Sequence, residues 1–462
     1  MRNKNVQMSL LDTYHSVEEH LENDKPELFK LLDEHLDWDE LIPNTFYAAF
    51  YRRFGRNRKY DLESFMKALF LQRMFHYIED SQLLNTLRFS YEMRDYCGFD
   101  KVPDAAKLTR FKQNFCDRIR DVFDRLVDLT EPICREMDKA LSDLLIFDTT
   151  GIESYVAENN PKFPNTKAGN FVELNGVAAS NPQVKLQYIN GHMCYAQRVA
   201  VVTNGLGIVR HLELLDEDFR ERHPELPREK RDKTPEIDKE IGDSTALKPV
   251  LLDFRKEHPN LRYGTFSGDA AFDTYDNYTF LLNEYHFNKA VIPMNPRRGL
   301  PSADIGFNEN GTPLCPKDST PFKPHGRANG AHRSPRLKFI CPKSVRRKKD
   351  GRYTYFCQCE NPCTDSRYGR CAYVQLNKNL RLYPGISRDD LSFVEICNRR
   401  TAVERSINTL KDTLGIANRK TSNVLTTKAD LFLAGIVQLV CVLLAHKLHD
   451  VKLARRPRRL IA

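Results

Sequence analysis

The chain lacks any hydrophobic run that reads as a membrane span. Its most apolar stretch, LFLAGIVQLVCVLLA from Leu431 to Ala445, carries Gln438 inside it. That stretch is shorter than the roughly 20 residues a spanning helix needs, so a buried helix is expected there. The amino terminus, MRNKNVQMSLLDTYHSVEEH, lacks the apolar core of a secretory signal. A cytosolic protein is therefore expected, and its 12 cysteines should be free thiols or metal ligands rather than disulfides. No internal repeat stands out, which sets repeat architectures aside.

What is present suits a soluble protein with a sizeable core. The 462 residues are 41% hydrophobic and 29% charged, and a chain of this length divides into two to four domains. The net charge of +9 and pI near 8.8 fit a polyanionic partner without requiring one.

Residues 1–140 read as helical. In DLESFMKALFLQRMFHYIEDSQLLNTLRFSYEMRDYCGF, apolar residues recur at helical spacing: Phe65, Leu69, Met74, Tyr77 and Ile78, then Leu83, Leu84 and Leu87. Asp61 and Asp80 are expected as N-caps. Gly98 and Pro103 break the pattern, and LTRFKQNFCDRIRDVFDRLVDLTEPICREM resumes it. Short helices of this kind build either a helix-turn-helix DNA reader or an ordinary bundle.

From about 143 the period changes. DLLIFD reads as a strand ending in Asp148. AQRVAVVTNGLGIVRHLELL reads as two strands around an Asn204–Gly205 turn. A helix-compatible stretch runs from Pro235 to His258. A short strand follows that ends near Asp269, then a helix from Thr274 to Tyr285 and a strand from Lys289 to Pro293. That order suits an α/β mixed sheet with flanking helices. Residues 296–388 are rich in Pro, Gly, Lys, Arg and Cys and read as an insertion with little helix. Helices return over 389–450, ahead of a basic tail, 451–462.

Three acids stand out. Asp148 and Asp269 each close a predicted strand, where sites gather in open α/β sheets. Glu404 lies in RRTAVERSINTLK, with Arg400 four residues before it and Lys411 seven after. That spacing puts all three on one helix face. Taken alone, each feature also reads blandly, as a solvated turn or an ion-pair face. Glu153 reads as a surface acid, and Asp273 as the N-cap of the helix at 274.

Taken in order, IFDTTGIE, TFSGDAAFD and the Arg400–Glu404–Lys411 set resemble the acid motifs of a DDE transposase of a bacterial insertion sequence. The resemblance is to the group with a Tyr-x2-Arg-x3-Glu-x6-Lys signature, and Cys397 stands here in the Tyr position. The helical segment containing VPDAAKLTRFKQNF resembles the domain that precedes the catalytic core in such proteins. The resemblance implies a ribonuclease-H-like core in two parts, 141–295 and 389–450, after an amino-terminal domain for DNA-end binding or assembly. It implies Asp148, Asp269 and Glu404 as catalytic residues holding Mg²⁺ or Mn²⁺, with Arg400 and Lys411 on DNA phosphates. It also implies partners: double-stranded DNA, at transposon ends and at the target, and further copies of the chain in a synaptic complex, with no membrane and a nucleoid-associated location. Rival readings are a nuclease of the same fold that does not join strands, and a transposase-derived DNA-binding protein without activity.

Two Mg²⁺ ions roughly 3.5–4 Å apart activate a water or 3′-hydroxyl and stabilise the leaving oxygen, and they favour oxygen ligands. Without metal, three neighbouring acids raise one another's pKa, so such a cluster makes poor sense as a stabilising device.

Six cysteines fall between 315 and 371, the densest part being CQCENPCTDSRYGRC. Four of Cys341, Cys357, Cys359, Cys363 and Cys371 either bind a structural zinc or stay as reduced thiols. His325 and His332 are weaker ligand candidates. Between Cys341 and Cys357, PKSVRRKKDGRYTYF mixes cations with aromatics, so Arg346, Arg347 and Lys348 read either as DNA-backbone contacts or as a solvated loop.

Overall fold

The computed structural model describes residues 26–461 apart from 52–56, 161–176, 179–180, 190–191, 227–240, 296–304, 309, 331–332 and 350–351. Of the first 25 residues it describes 9, 11 and 15. His332 and the start of the stretch predicted from Pro235 lie outside the described residues.

A mixed sheet organises the chain. Strand β1 (Leu144–Glu153) lies between β4 (His192–Asn204), antiparallel, and β6 (Thr265–Ser267), parallel. Strand β7 (Lys289–Val291) continues the parallel side. The long β4 pairs through its first half with β3 (Asn181–Ile189) and through its second with β5 (Val209–Leu214). The short β2 (Val177–Ala178) lies beyond β3. Leu144 and Ile146 face one core, and Leu145 and Phe147 the other. That is why LLIF is a continuous apolar run: a strand covered on both faces cannot alternate.

The strand does not stop at Asp148. Thr149, Thr150 and Ile152 suit extended backbone, and β1 stays paired with β4 out to Glu153. Its pairing with β6 ends at Ile146, so from Asp148 onward one edge of β1 is released from the sheet.

One face of the sheet carries the helix Asp243–Glu257. The other carries the helices Cys116–Met137 and Val424–Lys447. Cys116–Met137 buries Ile119, Val122, Phe123, Leu126, Val127, Thr130 and Cys134, one stripe at helical spacing. Val424–Lys447 is long and apolar enough to cross a membrane by length and composition, yet almost all of it is packed inside the protein. The amino-terminal helices Leu62–Met74 and Ala105–Asn114 share its core.

A buried ion cluster locks those helices to the carboxy-terminal part. Asp430 on the buried helix meets Arg419 at 2.6 Å and Lys112 at 3.5 Å. Lys112 and Arg419 also reach Asp80, at 2.9 and 3.4 Å. Asp80 is therefore not the expected N-cap. Glu79 caps the helix Asp80–Phe89, and Asp80 turns inward as a counter-ion. Asp61 does precede the helix Leu62–Met74 but makes no side-chain cap bond. Against the upward pull of burial, Arg419 and Lys112 hold the Asp430 carboxyl below the usual range.

Residues 305–389 form strands and turns without helix among those described. Strands β8 (Lys323–Gly330), β9 (Arg333–Ile340) and β12 (Cys371–Gln375) make one small sheet. Strands β10 (Ser344–Lys349) and β11 (Arg352–Cys357) form a separate two-stranded ribbon.

Removing one partner from a buried charge cluster typically costs about 3–5 kcal/mol. Asp430→Ala is expected to lower stability by about that much in chemical denaturation. A loss below about 1 kcal/mol would mean that water already screens the cluster.

Candidate active site

Parallel pairing of β1 with β6 sends the chain towards Asp148 on one strand and Asp269 just past the other. Each paired β1 residue faces the β6 residue 121 positions later, as Leu144 faces Thr265 and Ile146 faces Ser267. The pairing stops at Ile146 and Ser267, two residues short of both acids, and Asp269 lies close enough to act on the Asp148 carboxyl electrostatically. Past β6 the chain turns through Ala270–Phe272, and Asp269 caps that turn by accepting from the Ala271 N–H at 2.7 Å. Phe272 anchors the turn edge-on against Phe147, with ring centroids 5.1 Å apart.

Glu404 arrives on the helix Thr401–Asn408, whose inner face is Ala402, Val403, Ser406 and Ile407. Two contacts fix this helix over the sheet. Gly207, in the turn between β4 and β5, has φ +79°, and a Cβ there would come 3.0 Å from the Ala402 carbonyl. Gln438, on the buried helix, donates to the Gly207 carbonyl at 3.2 Å and to Ser406 Oγ at 3.4 Å, and accepts from Val209 N–H at 2.9 Å.

Arg400 joins the acids. Its guanidinium lies 2.8 Å from Glu404 and 3.9 Å from Asp148. Asp148 is only 20% exposed, against 45% for Glu404. The difference shows in its ionisation: burial first, then the nearby Asp269 and Asp243, push the Asp148 carboxyl up to about 6. The Thr149 N–H, donating at 2.8 Å, and Arg400 act in the opposite direction.

Asp243, the first residue of the helix Asp243–Glu257, is an acid the sequence reading missed. It accepts from Thr149 Oγ1 at 2.6 Å and pairs with Arg198. Its signal was a Gly-Asp-Ser helix start, which reads as ordinary capping chemistry.

The other expectations divide. Lys411 falls in a widened π-helical turn, Thr409–Thr413. Its electrostatic neighbours are Asp412 and Cys194, and burial lowers its pKa. Asp273 is not an N-cap, since Thr274 caps the helix at 275. Asp273 is fully buried and instead meets Arg381 at 2.7 Å, Tyr278 Oη and the Asn295 N–H. Glu153 is exposed, as expected. Cys397 is half-buried beside Val291, Ile386 and Phe393, so packing is its visible role.

Arg346, Arg347 and Lys348 are exposed on β10. Among the described residues, no hydrogen bond or ion pair joins them to the acids. Arg346 stacks on the exposed Tyr353, 3.8 Å from the ring centroid, with Lys348 at 6.0 Å. In the cysteine set, Cys341 and Cys357 bring their sulfurs to 3.8 Å. Cys371 pairs with Ile340, so it points to the face of the small sheet opposite Phe339 and Cys341.

Among the described residues, two groups of three potential ligands have donor atoms all within 4.8 Å of one another: Glu153–His192–Cys194 and Asp124–Glu257–His258. The set Asp148, Asp269 and Glu404 is more open, with Arg400 between its members. Its chemistry nonetheless suits a hard divalent cation. All donors are carboxylate oxygens, and a cation beside Asp148 would offset the burial and repulsion that now disfavour its charge.

The raised pKa of Asp148 sets a sign. A carboxyl whose folded value lies above its unfolded value near 3.9 favours folding fully below that value and loses this contribution as pH rises through about 6. In metal-free buffer Asp148→Asn is therefore expected to gain stability relative to wild type at neutral pH, by on the order of 2 kcal/mol. The gain should vanish near pH ~4. Thermal melts at both pH values test this, and a variant less stable than wild type at neutral pH would contradict it.

Residues 15–114 match the family model described as "Transposase domain (DUF772)". The match spans most of the helical region and ends before β1. No curated protein matches the chain significantly. Among solved structures, the chain is similar to one in the cryo-EM structure of a piggyBac transposase synaptic complex with hairpin DNA. The identity is 12% and the TM-score 0.38, over 96% of this chain and 80% of that one. That likeness is too slight to carry an argument about fold.

Proposed function

We propose that the chain is a DNA transposase of the DDE type with a ribonuclease-H-like core. It would cut DNA at the ends of an insertion sequence and join the freed ends to target DNA. The observations that support this reading are the Arg400 guanidinium 2.8 Å from Glu404 and 3.9 Å from Asp148 and the electrostatic influence of Asp269 on Asp148. These residues span more than half the chain. The transposase-domain match of residues 15–114 supports the same reading from a separate part of the chain.

The strand path supports the core type. β1 is central, with antiparallel β4 and then β5 on one side and parallel β6 and then β7 on the other. The first acid lies on the central strand, the second follows its parallel neighbour, and the third sits on a late helix. The described elements also support the division into a helical part before 141, a core in two segments, and the cysteine-rich insertion of 296–388.

Asp148, Asp269 and Glu404 would hold Mg²⁺ or Mn²⁺. Divalent cations at such a site activate the attacking water or 3′-hydroxyl and neutralise the leaving oxygen. The chain's own groups position and compensate. Arg400 lowers the repulsion among the acids and can hold a substrate phosphate bidentately. Thr149 donates its N–H to Asp148 and fixes that carboxylate. Exposed cations on β10 would bind the duplex backbone and fix its register without reading bases. Joining two ends calls for at least two copies of the chain. In-line transfer of this kind uses positioning and electrostatics, with no covalent protein intermediate.

Separate alanine substitutions at Asp148, Asp269 and Glu404 are expected to reduce cleavage and joining by at least about a hundredfold, with binding to end DNA retained. Assays on end-bearing duplex and on a pre-cut 3′-hydroxyl substrate test this. Wild-type cleavage by Glu404→Ala would remove Glu404 from the site, and hydrolysis without joined product would leave a nuclease. Arg346→Ala combined with Lys348→Ala is expected to weaken duplex binding about equally across sequences. It should also lower the log–log salt slope by about one to two, and an unchanged slope would detach the ribbon from DNA.

A further inference from the structure

The β10–β11 ribbon carries cations on both sides. Arg346 and Lys348 share one side with Tyr353 and Tyr355, while Arg347 and Thr354 lie on the other with Val345 and Phe356. A two-stranded ribbon in water is marginal by itself, so its geometry must be fixed at its base. The cysteines gather at that base. Cys341 precedes β10 by three residues, Cys357 ends β11, and Cys359 follows two residues later.

Two Cys-Pro-Lys turns face each other there. In one, the Cys315 carbonyl accepts from the Ser319 N–H at 2.8 Å. In the other, the Cys341 carbonyl accepts from the Ser344 N–H at 3.0 Å. Lys343 of the second turn reaches Asp318 of the first at 2.8 Å, and the Cys315 side chain bonds to the same Asp318. Lys343 also feels the charge of both Cys315 and Cys359. A third turn closes over the thiols. Ser344 Oγ donates to the Tyr368 carbonyl at 2.9 Å. Gly369 sits at φ +81°, where a Cβ would come 2.8 Å from Cys341 Cβ and 3.3 Å from Cys357 Cβ.

The sulfurs of Cys341 and Cys357 are 3.8 Å apart. Two thiolates bound at about 2.3 Å to one tetrahedral ion sit about that far apart, whereas bonded sulfurs sit at about 2.05 Å. We propose that Cys315, Cys341, Cys357 and Cys359 bind a structural zinc ion that clamps the base of the basic ribbon. Each ligating thiol gives its proton to solvent on binding. Cys341 and Cys357 form the pair already in place, and Cys315 and Cys359, both near Lys343, would complete the set. Cys371, on the opposite face of its sheet, and Cys363 lie outside the set. The assignment adds Cys315, which the spacing of the dense CQCENPC segment does not reveal. It does not rest on the transposase reading, because its readout is metal content.

The test uses the purified full chain under reducing conditions. Elemental analysis is expected to find about one zinc per chain, released when thiols are modified. Cys341→Ser and Cys357→Ser should lose it, while Cys363→Ser and Cys371→Ser keep it. Because a ligand variant can fail to fold, the wild-type chain is also reconstituted with cobalt. Intense visible bands with thiolate charge transfer are expected, as for a tetrahedral all-sulfur site. Wild-type protein that stays zinc-free after reconstitution, full zinc in Cys341→Ser, a weak octahedral cobalt spectrum, or a Cys341–Cys357 disulfide would each overturn the proposal.

Discussion

The acidic patch depends on one amide buried in an apolar helix. Gln438 lies in the middle of Val424–Lys447, where an unsatisfied polar group costs about 1–3 kcal/mol. It avoids that cost by bonding the β4–β5 turn on one side and the helix of Glu404 on the other. Three elements far apart in sequence thus share one reference point. If Gln438 shifts, so does the helix that carries Glu404 over β1. The ion cluster of Asp430, Lys112, Arg419 and Asp80 gives the same helix a second anchor, to the amino-terminal helices. The buried helix therefore links the region matching a transposase domain to the region holding the acids.

That rigidity explains how an unfavourable arrangement persists. Asp148 is driven into a partly dry position beside Asp269 and Asp243, and its carboxyl resists ionisation there. Arg400 relieves some of the repulsion but, at 3.9 Å, does not close a tight pair with Asp148. A protein under selection for stability alone gains nothing from this, and perturbed ionisation of that kind clusters at functional sites. The released edge of β1 beyond Ile146 belongs to the same design, since it opens the sheet where the acids emerge.

Much of this could be read from the residues, though for partly different reasons. The LLIF run announced a strand covered on both faces, and Asn204–Gly205 announced a hairpin. Yet the positive φ belongs to Gly207, while Gly205 is small because the Leu141 carbonyl passes 2.7 Å from where its Cβ would lie. Asp148 and Asp269 were read from strand ends, but β1 continues past Asp148 and Asp269 caps a turn beyond β6, details set by long-range pairing. Asp80 and Asp273 look like caps because local sequence cannot reveal the buried cations that claim them, Lys112 and Arg419 in one case and Arg381 in the other. The π turn at Thr409–Thr413, which includes Lys411, was not legible either, because helical arithmetic assumes turns of constant width.

The basic ribbon obeys a complementary logic. Its cations lie on both sides, and the fold supports it through Cys357, the turns around Cys341 and ring contacts of Phe356 with Tyr368 and of Tyr355 with His325. Arg346 stacked on Tyr353 keeps its guanidinium oriented yet exposed, and a cation held by an aromatic face still has its donors free for phosphate. An element of this kind trades local stability for reach. It needs a stiff base, because any wobble there is magnified along the strands to the residues that would meet DNA. Strand pairing fixes the ribbon's register, and contacts at Cys341, Cys357 and Gly369, with the rings of Phe356 and Tyr355, fix its direction. The thiols therefore gather at the one place where a small constraint governs the whole projection.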